Sequence, residues 1–198
     1  MGQGESNYVH KEGTYRIAVI VGSLRKKSSN AGLVKAIVQL NHPAFSYDFV
    51  NIRDFPVFDE DVEQEGIPTP VKIAREQCHK ADAILFNIPE YNFSMAGSFK
   101  NAYDWLSRSY DTATDPYDKV SPMKEKIGAM VSVAGMVGGK NAQDHFAHSS
   151  KLLKVKLMIP TEETAIQVNR FTSKKFDDES NLIDEDVRKK LSVFLDAF

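Results

Sequence analysis

The chain has one cysteine, Cys78, among its 198 residues, so no internal disulfide can form and a disulfide-stapled secreted scaffold is excluded. An excess of one charge is also missing. The 25 Lys and Arg against 27 Asp and Glu leave a net charge of -2 and a pI near 6.2, which gives no basic footprint for nucleic acid. No apolar run approaches the ~20 residues of a membrane span. The polar stretch 1–14 contains no signal-peptide apolar core. Met1-Gly2 with Ser6 fits the loose N-myristoylation pattern; the other reading of 1–14 is a disordered tail, ahead of one domain over 15–198. These absences leave a cytoplasmic protein with no nucleic-acid partner and no membrane span as the expectation. The 42% hydrophobic content is enough to furnish one full core.

Two further absences shape the reading of the first loop. An apolar run, Ile17 to Val21, leads into Gly22-Ser23-Leu24-Arg25-Lys26-Lys27-Ser28-Ser29-Asn30 and then into a helical pattern. The loop lacks the second and third glycines of a G-x-G-x-x-G turn, and it lacks the G-K-[ST] of a P-loop. It offers three hydroxyls, an amide and a guanidinium beside the unpartnered N–H groups of a helix start. Arg25 can bond phosphate oxygens bidentately while the serines donate in other directions, a set suited to one terminal phosphate. The alternative is a solvated loop with Ser28 or Ser29 as an ordinary N-cap.

The rest of the chain alternates strand and helix. Tyr15–Val21 reads as a strand buried on both faces, 31–40 as a helix, and 45–52 as a more polar strand nearer a sheet edge. The acidic, proline-containing stretch 53–69 reads as a surface connection. Thr69 and Pro70 read as the N-cap and first position of a helix whose face includes Val71, Ala74 and Cys78, which makes Cys78 a packed residue. A third strand over 81–88 ends at Pro89. A helix over 97–108 carries Phe99, Ala102, Tyr103 and Leu106 on one stripe. Trp105 lies off that stripe and marks either a subunit contact or a wide core face. The 109–124 stretch reads as a long loop. A fourth strand over 126–133, a glycine-rich loop over 135–139 and a helix over 141–153 follow. A fifth strand begins at 154–159 and extends to 164–168, and Asp184 caps a last helix. His145 and His148 are three apart on a helix, which is not the usual i, i+4 metal spacing, and no metal site is expected.

This order predicts an α/β three-layer sandwich whose parallel sheet binds ligand at the carboxyl ends of its strands. The three least ordinary loops, 22–30, 89–97 and 132–139, fall on that edge. Pro89-Glu90-Tyr91-Asn92 offers a ring and an amide to a flat heteroaromatic, and the Gly135–Gly139 loop lets backbone approach a ring edge. The alternatives are core packing for Tyr91 and Phe93 and a tight turn for the glycines.

Taken in order, these loops resemble the NADPH-dependent FMN reductase family, which includes quinone, azo and chromate reductases of flavodoxin-like fold. The resemblance is carried by Gly22-Ser23-Leu24-Arg25 with Ser28 and Asn30, then Pro89-Glu90-Tyr91-Asn92, Lys100-Asn101-Ala102 with Asp104-Trp105-Leu106, and Gly138-Gly139. It implies a five-stranded parallel sheet of order 2-1-3-4-5. It also implies that Ser23, Arg25, Ser28, Ser29 and Asn30 hold the FMN phosphate. Pro89, Glu90, Tyr91 and Asn92 would line the isoalloxazine and ribityl chain, and Ser132, Gly135, Gly138 and Gly139 the pyrimidine end. FMN would be the cofactor and NADPH or NADH the co-substrate, with two electrons passing by hydride transfer to a quinone, azo compound, chromate or free flavin. No catalytic side chain is implied, because the flavin carries the chemistry. The other reading is an FMN-bound electron carrier without NAD(P)H turnover. A homodimer or homotetramer with the 97–108 helix near the contact is implied too. Two departures stand out. Ala96 replaces a common proline, predicting a looser second loop, and the longer 109–124 loop is a candidate lid through Tyr110 or Tyr117.

Overall fold

A computed structural model describes residues 12–108 and 121–198. The expectations for the tail, Tyr110 and Tyr117 fall outside those residues. The strands are β1 (Tyr15–Val21), β2 (Phe45–Val50), β3 (Ala83–Asn87), β4 (Glu90–Tyr91), β5 (Ser94–Met95), β6 (Ile127–Ala134), β7 (Lys156–Leu157) and β8 (Ile166–Asn169). The helices are α1 (Ser29–Gln39), α2 (Glu60–Glu65), α3 (Thr69–Lys80), α4 (Gly97–Ser107), α5 (Lys140–Ser149) and α6 (Glu185–Ala197), with a 3-10 turn over Ser150–Leu153.

The main sheet runs β2-β1-β3-β6, entirely parallel, and β7 and β8 both pair with β6. The expected order therefore stands, but the fifth position is split. β7 bonds the first residues of β6, β8 bonds its last four, and the chain leaves the sheet between them. Pro160 supplies no N–H to a ladder, which accounts for the interruption at this outer edge.

Side-chain alternation assigns each strand residue to a layer. Ile17, Val19, Leu85, Val131 and Val133 face α1 and α6, where Leu33, Ile37, Leu191 and Phe194 meet them. Ala18, Ile20, Ile84 and Phe86 face the opposite layer, built from Val71 and Cys78 of α3, Phe99 and Trp105 of α4, and Phe146 of α5. This is the expected three-layer arrangement, with β2 at the expected edge.

Several local expectations are corrected. Trp105 is fully buried in its own chain and donates from Nε1 to the Pro56 carbonyl at 2.8 Å, so it is a core residue and not a subunit contact. The 53–69 connection contains α2, capped by Asp59, which accepts from the Asp61 N–H at 2.9 Å. Its acids serve packing as well as solvation. Glu63 pairs at 2.9 Å with buried Arg75, and Arg75 also donates to the Trp105 carbonyl at 2.7 and 3.0 Å. α3 is capped at Pro68, so Thr69 is its first residue and Pro70 its second. Asp184 caps α6 as expected, accepting from the Val187 N–H at 2.9 Å.

Candidate functional site

β1 ends beside β3 at the point where the chain crosses to opposite sides of the sheet. There the Gly22 N–H donates to the Asn87 carbonyl at 2.9 Å, and Ser98 at the start of α4 donates to the Gly22 carbonyl at 2.5 Å. The first loop therefore leaves the sheet from a fixed origin. Ser28 ends it as the N-cap of α1, its hydroxyl oxygen accepting from the Ala31 N–H at 3.2 Å. The N-cap reading of this serine is therefore met, and its hydroxyl hydrogen is still available to a ligand. The N–H groups of Ser29 and Asn30 have no acceptor among the described residues, as expected for a helix start.

A small open cleft of about 50 Å³ joins this helix start to the second and third loops. Its lining takes Ser23, Arg25, Ser28, Ser29 and Asn30 from the first loop and helix start, Pro89, Glu90 and Tyr91 from the second loop, and Val133, Ala134 and Gly135 from the end of β6, with Arg170 after β8. Arg25 is exposed and forms no ion pair or hydrogen bond among the described residues. Asn30 plays a different part from a surface donor. Its Nδ2 donates to the Val133 carbonyl at 2.8 Å, and its Oδ1 accepts from the Val133 N–H at 2.9 Å and from Asn87 Nδ2 at 3.1 Å. The amide stitches α1 to β6 under the cleft floor.

The second loop is a hairpin, β4 pairing antiparallel with β5. Asn92 and Phe93 turn it at φ 52° and 58°, the backbone of a type I′ turn. The expected looseness at Ala96 is not what this geometry gives. The Ala96 N–H donates to the Pro89 carbonyl at 2.9 Å, closing the base of the hairpin with a bond that a proline could not make. Tyr91 and Phe93 are 58% and 64% exposed, which removes the core-packing reading for both. Glu90 is half-buried and caps α5, its carboxylate accepting from the Ala142 N–H at 3.1 Å and from Asn141 at 3.4 Å.

The third loop divides. Gly135 is on the cleft wall. Gly138 and Gly139 turn into α5 at φ 65° and 96°, a conformation for which glycine has no steric penalty. The fully buried Ser132 donates to the Gly138 carbonyl at 2.6 Å and accepts from Gln143 at 2.8 Å. Asn92, Ser132, Gly138 and Gly139 thus stand outside the cleft lining, behind or beside it. Arg170 is the lining residue that sequence reasoning missed. Its only signal is that it follows the end of an outer strand, and that strand is broken.

Elsewhere, His145 meets the Ser94 hydroxyl through Nδ1 at 3.1 Å, and Asp144 pairs with Lys140 at 2.5 Å. Burial pushes the Cys78 thiol up to about 12, so it is a packing group. Among the described residues no helix is long and apolar enough to cross a membrane.

The arrangement can hold an anionic tail at a helix start and a planar group against an exposed ring. NADPH:quinone oxidoreductase of Arabidopsis thaliana is 35% identical over 185 residues, covering 91% of this chain and 88% of its own. The 2-hydroxy-1,4-benzoquinone reductase of a Burkholderia species is 34% identical over 184 residues, covering 92% of this chain and 93% of its own. Among solved structures, the flavoenzyme NAD(P)H:(acceptor) oxidoreductase of Paracoccus denitrificans superposes with a TM-score of 0.73 at 27% identity, over 92% of this chain and 96% of its own. The sequence model of one family matches residues 15–165, and on that match the chain belongs to the NADPH-dependent FMN reductase family.

Proposed function

We propose that this protein oxidises NADPH or NADH and delivers two electrons to a quinone or a similar flat acceptor through bound FMN. The carrying observation is one cleft whose lining brings together Arg25, which has no partner among the described residues, the open N–H groups of α1 and exposed Tyr91. That donor set fits a phosphorylated flavin, whose isoalloxazine supplies reversible hydride acceptance when bound. Arg25, Ser23, Ser28 and Ser29 bind the phosphate, by charge-assisted bonds and through the α1 dipole. Asn30 acts from below by fixing the helix start against β6. Pro89 and Tyr91 border the ring, Glu90 holds their hairpin to α5, and Asn92 shapes its turn. The Gly135 backbone approaches the ring edge, supported by Ser132, Gly138 and Gly139.

Assembly as a homodimer or homotetramer and a cytoplasmic location go with this reading; sedimentation and cell fractionation test them. The function itself is tested with freshly purified protein in the absence of oxygen. A visible flavin spectrum that bleaches on adding NADPH or NADH and returns on adding a benzoquinone is expected. A flavin spectrum that neither nucleotide bleaches points instead to an electron carrier, and failure to take up FMN overturns the reading.

A further inference from the structure

Arg170 has no part in the reading above. It follows β8 directly and lines the same cleft as Arg25. Among the described residues, these two guanidiniums are the only cationic side chains on the cleft lining. The one lining carboxylate, Glu90, is already committed to the start of α5. Arg170 forms no ion pair with a described acid, yet it is held in place. Its N–H donates to the Ala134 carbonyl at 3.0 Å. Asn169 before it donates to the Met136 carbonyl at 2.7 Å and accepts from the Phe171 N–H at 2.8 Å. The guanidinium carbon lies 5.2 Å from the centroid of the Phe171 ring, within cation–π range. That ring in turn lies on Gly135, where a Cβ would come within 2.7 Å of it. Glycine 135, the phenyl ring and the guanidinium form a stack that keeps a cation beside the cleft without a protein counter-ion.

A terminal phosphate carries roughly -1.5 to -2 charges at pH 7. Arg25 and the half-charge of a helix start offset about 1.5 of that, which leaves up to about half a charge uncompensated. We propose that Arg170 is a second phosphate-binding residue for FMN, sharing with Arg25 the cleft at the start of α1. This rests on the FMN reading above.

The test is titration of flavin-depleted protein with FMN and with riboflavin, which lacks the phosphate, followed by flavin fluorescence. Arg170→Gln is expected to raise the Kd for FMN on the order of tenfold, the loss of one charge-assisted contact, and to leave the Kd for riboflavin unchanged. Arg170→Lys, which keeps the charge, is expected to fall between the two and guards against a folding defect. Equal weakening of both flavins overturns the proposal, since Arg170 would then act through loop packing. Unchanged binding of both, with a shifted ratio of KM for NADPH to KM for NADH, also overturns it and assigns the guanidinium to the nicotinamide cofactor. If the parent protein binds no FMN, the proposed function fails as well; if only the variant behaves like the parent, this inference fails alone.

Discussion

Arg25 and Asn30 stand five positions apart and do different work. Arg25→Ala removes a charge-assisted contact and no internal one, so FMN affinity is expected to fall by about 2 kcal/mol, roughly thirtyfold in Kd, with an unchanged urea midpoint. Asn30→Ala strips partners from the Val133 N–H, the Val133 carbonyl and the Asn87 amide, all buried. Unsatisfied buried groups cost about 1–3 kcal/mol each, so this variant is expected to lose both stability and flavin in the same denaturation and binding series. The sequence shows the two residue types but not this division. Asn30 reads as one more phosphate donor because its actual partner, Val133, is 103 positions away. Cys78 was legible from its helix face alone, because apolar spacing reports burial directly.

Among the elements, the β4–β5 hairpin holds the clearest strain. Phe93 sits at φ 58°, where an L residue other than glycine costs about 1–2 kcal/mol, and its ring is exposed. Phe93→Gly is expected to stabilise the protein by about 1 kcal/mol in chemical denaturation. The natural residue then keeps its place for a reason other than folding; a raised KM for quinone in the same variant would identify that reason as stacking on the acceptor. Neither this hairpin nor α2 was visible beforehand, since two-residue strands and a six-residue helix carry too little periodicity to register. Long elements were visible. β1, α1 and α4 begin and end within about two residues of expectation, and α6 begins at its expected cap, as their apolar stripes span whole turns or both sheet faces. The broken outer strand was only half legible, because its two parts are in register with β6 but not continuous with each other.

For the whole molecule, burial sets the alkaline limit of stability. It pushes Tyr47 and Cys78 up to about 12 and raises Tyr103 as well. The unfolded chain releases these protons from near 9.0 for the thiol and 10.0 for the phenols, while the folded chain retains them. The unfolded state then binds fewer protons, so stability falls as pH rises through that window. Lys126, lowered mainly by burial, acts in the opposite sense below 10.5 and offsets part of the loss. A urea midpoint that holds to about pH 9 and then declines is expected. Tyr47→Phe should flatten the decline at little cost near pH 7, because the Tyr47 hydroxyl has no hydrogen-bond partner among the described residues.

The chain beyond 165 also acts at this scale. β8 completes the outer edge of β6, α6 covers one face of the sheet, and the 170–184 excursion lies against α1, with Lys27 and Glu179 paired at 2.6 Å. A Cβ on Gly32 would collide with the Ser180 carbonyl there. Gly32→Ala is expected to loosen that contact and lower the melting temperature by several degrees, about 1–2 kcal/mol of destabilisation. The cleft lining thus draws on the chain from Ser23 to Arg170. Flavin uptake during refolding therefore reports closure of the entire sheet, and a truncated chain lacking β8 is expected to lose it.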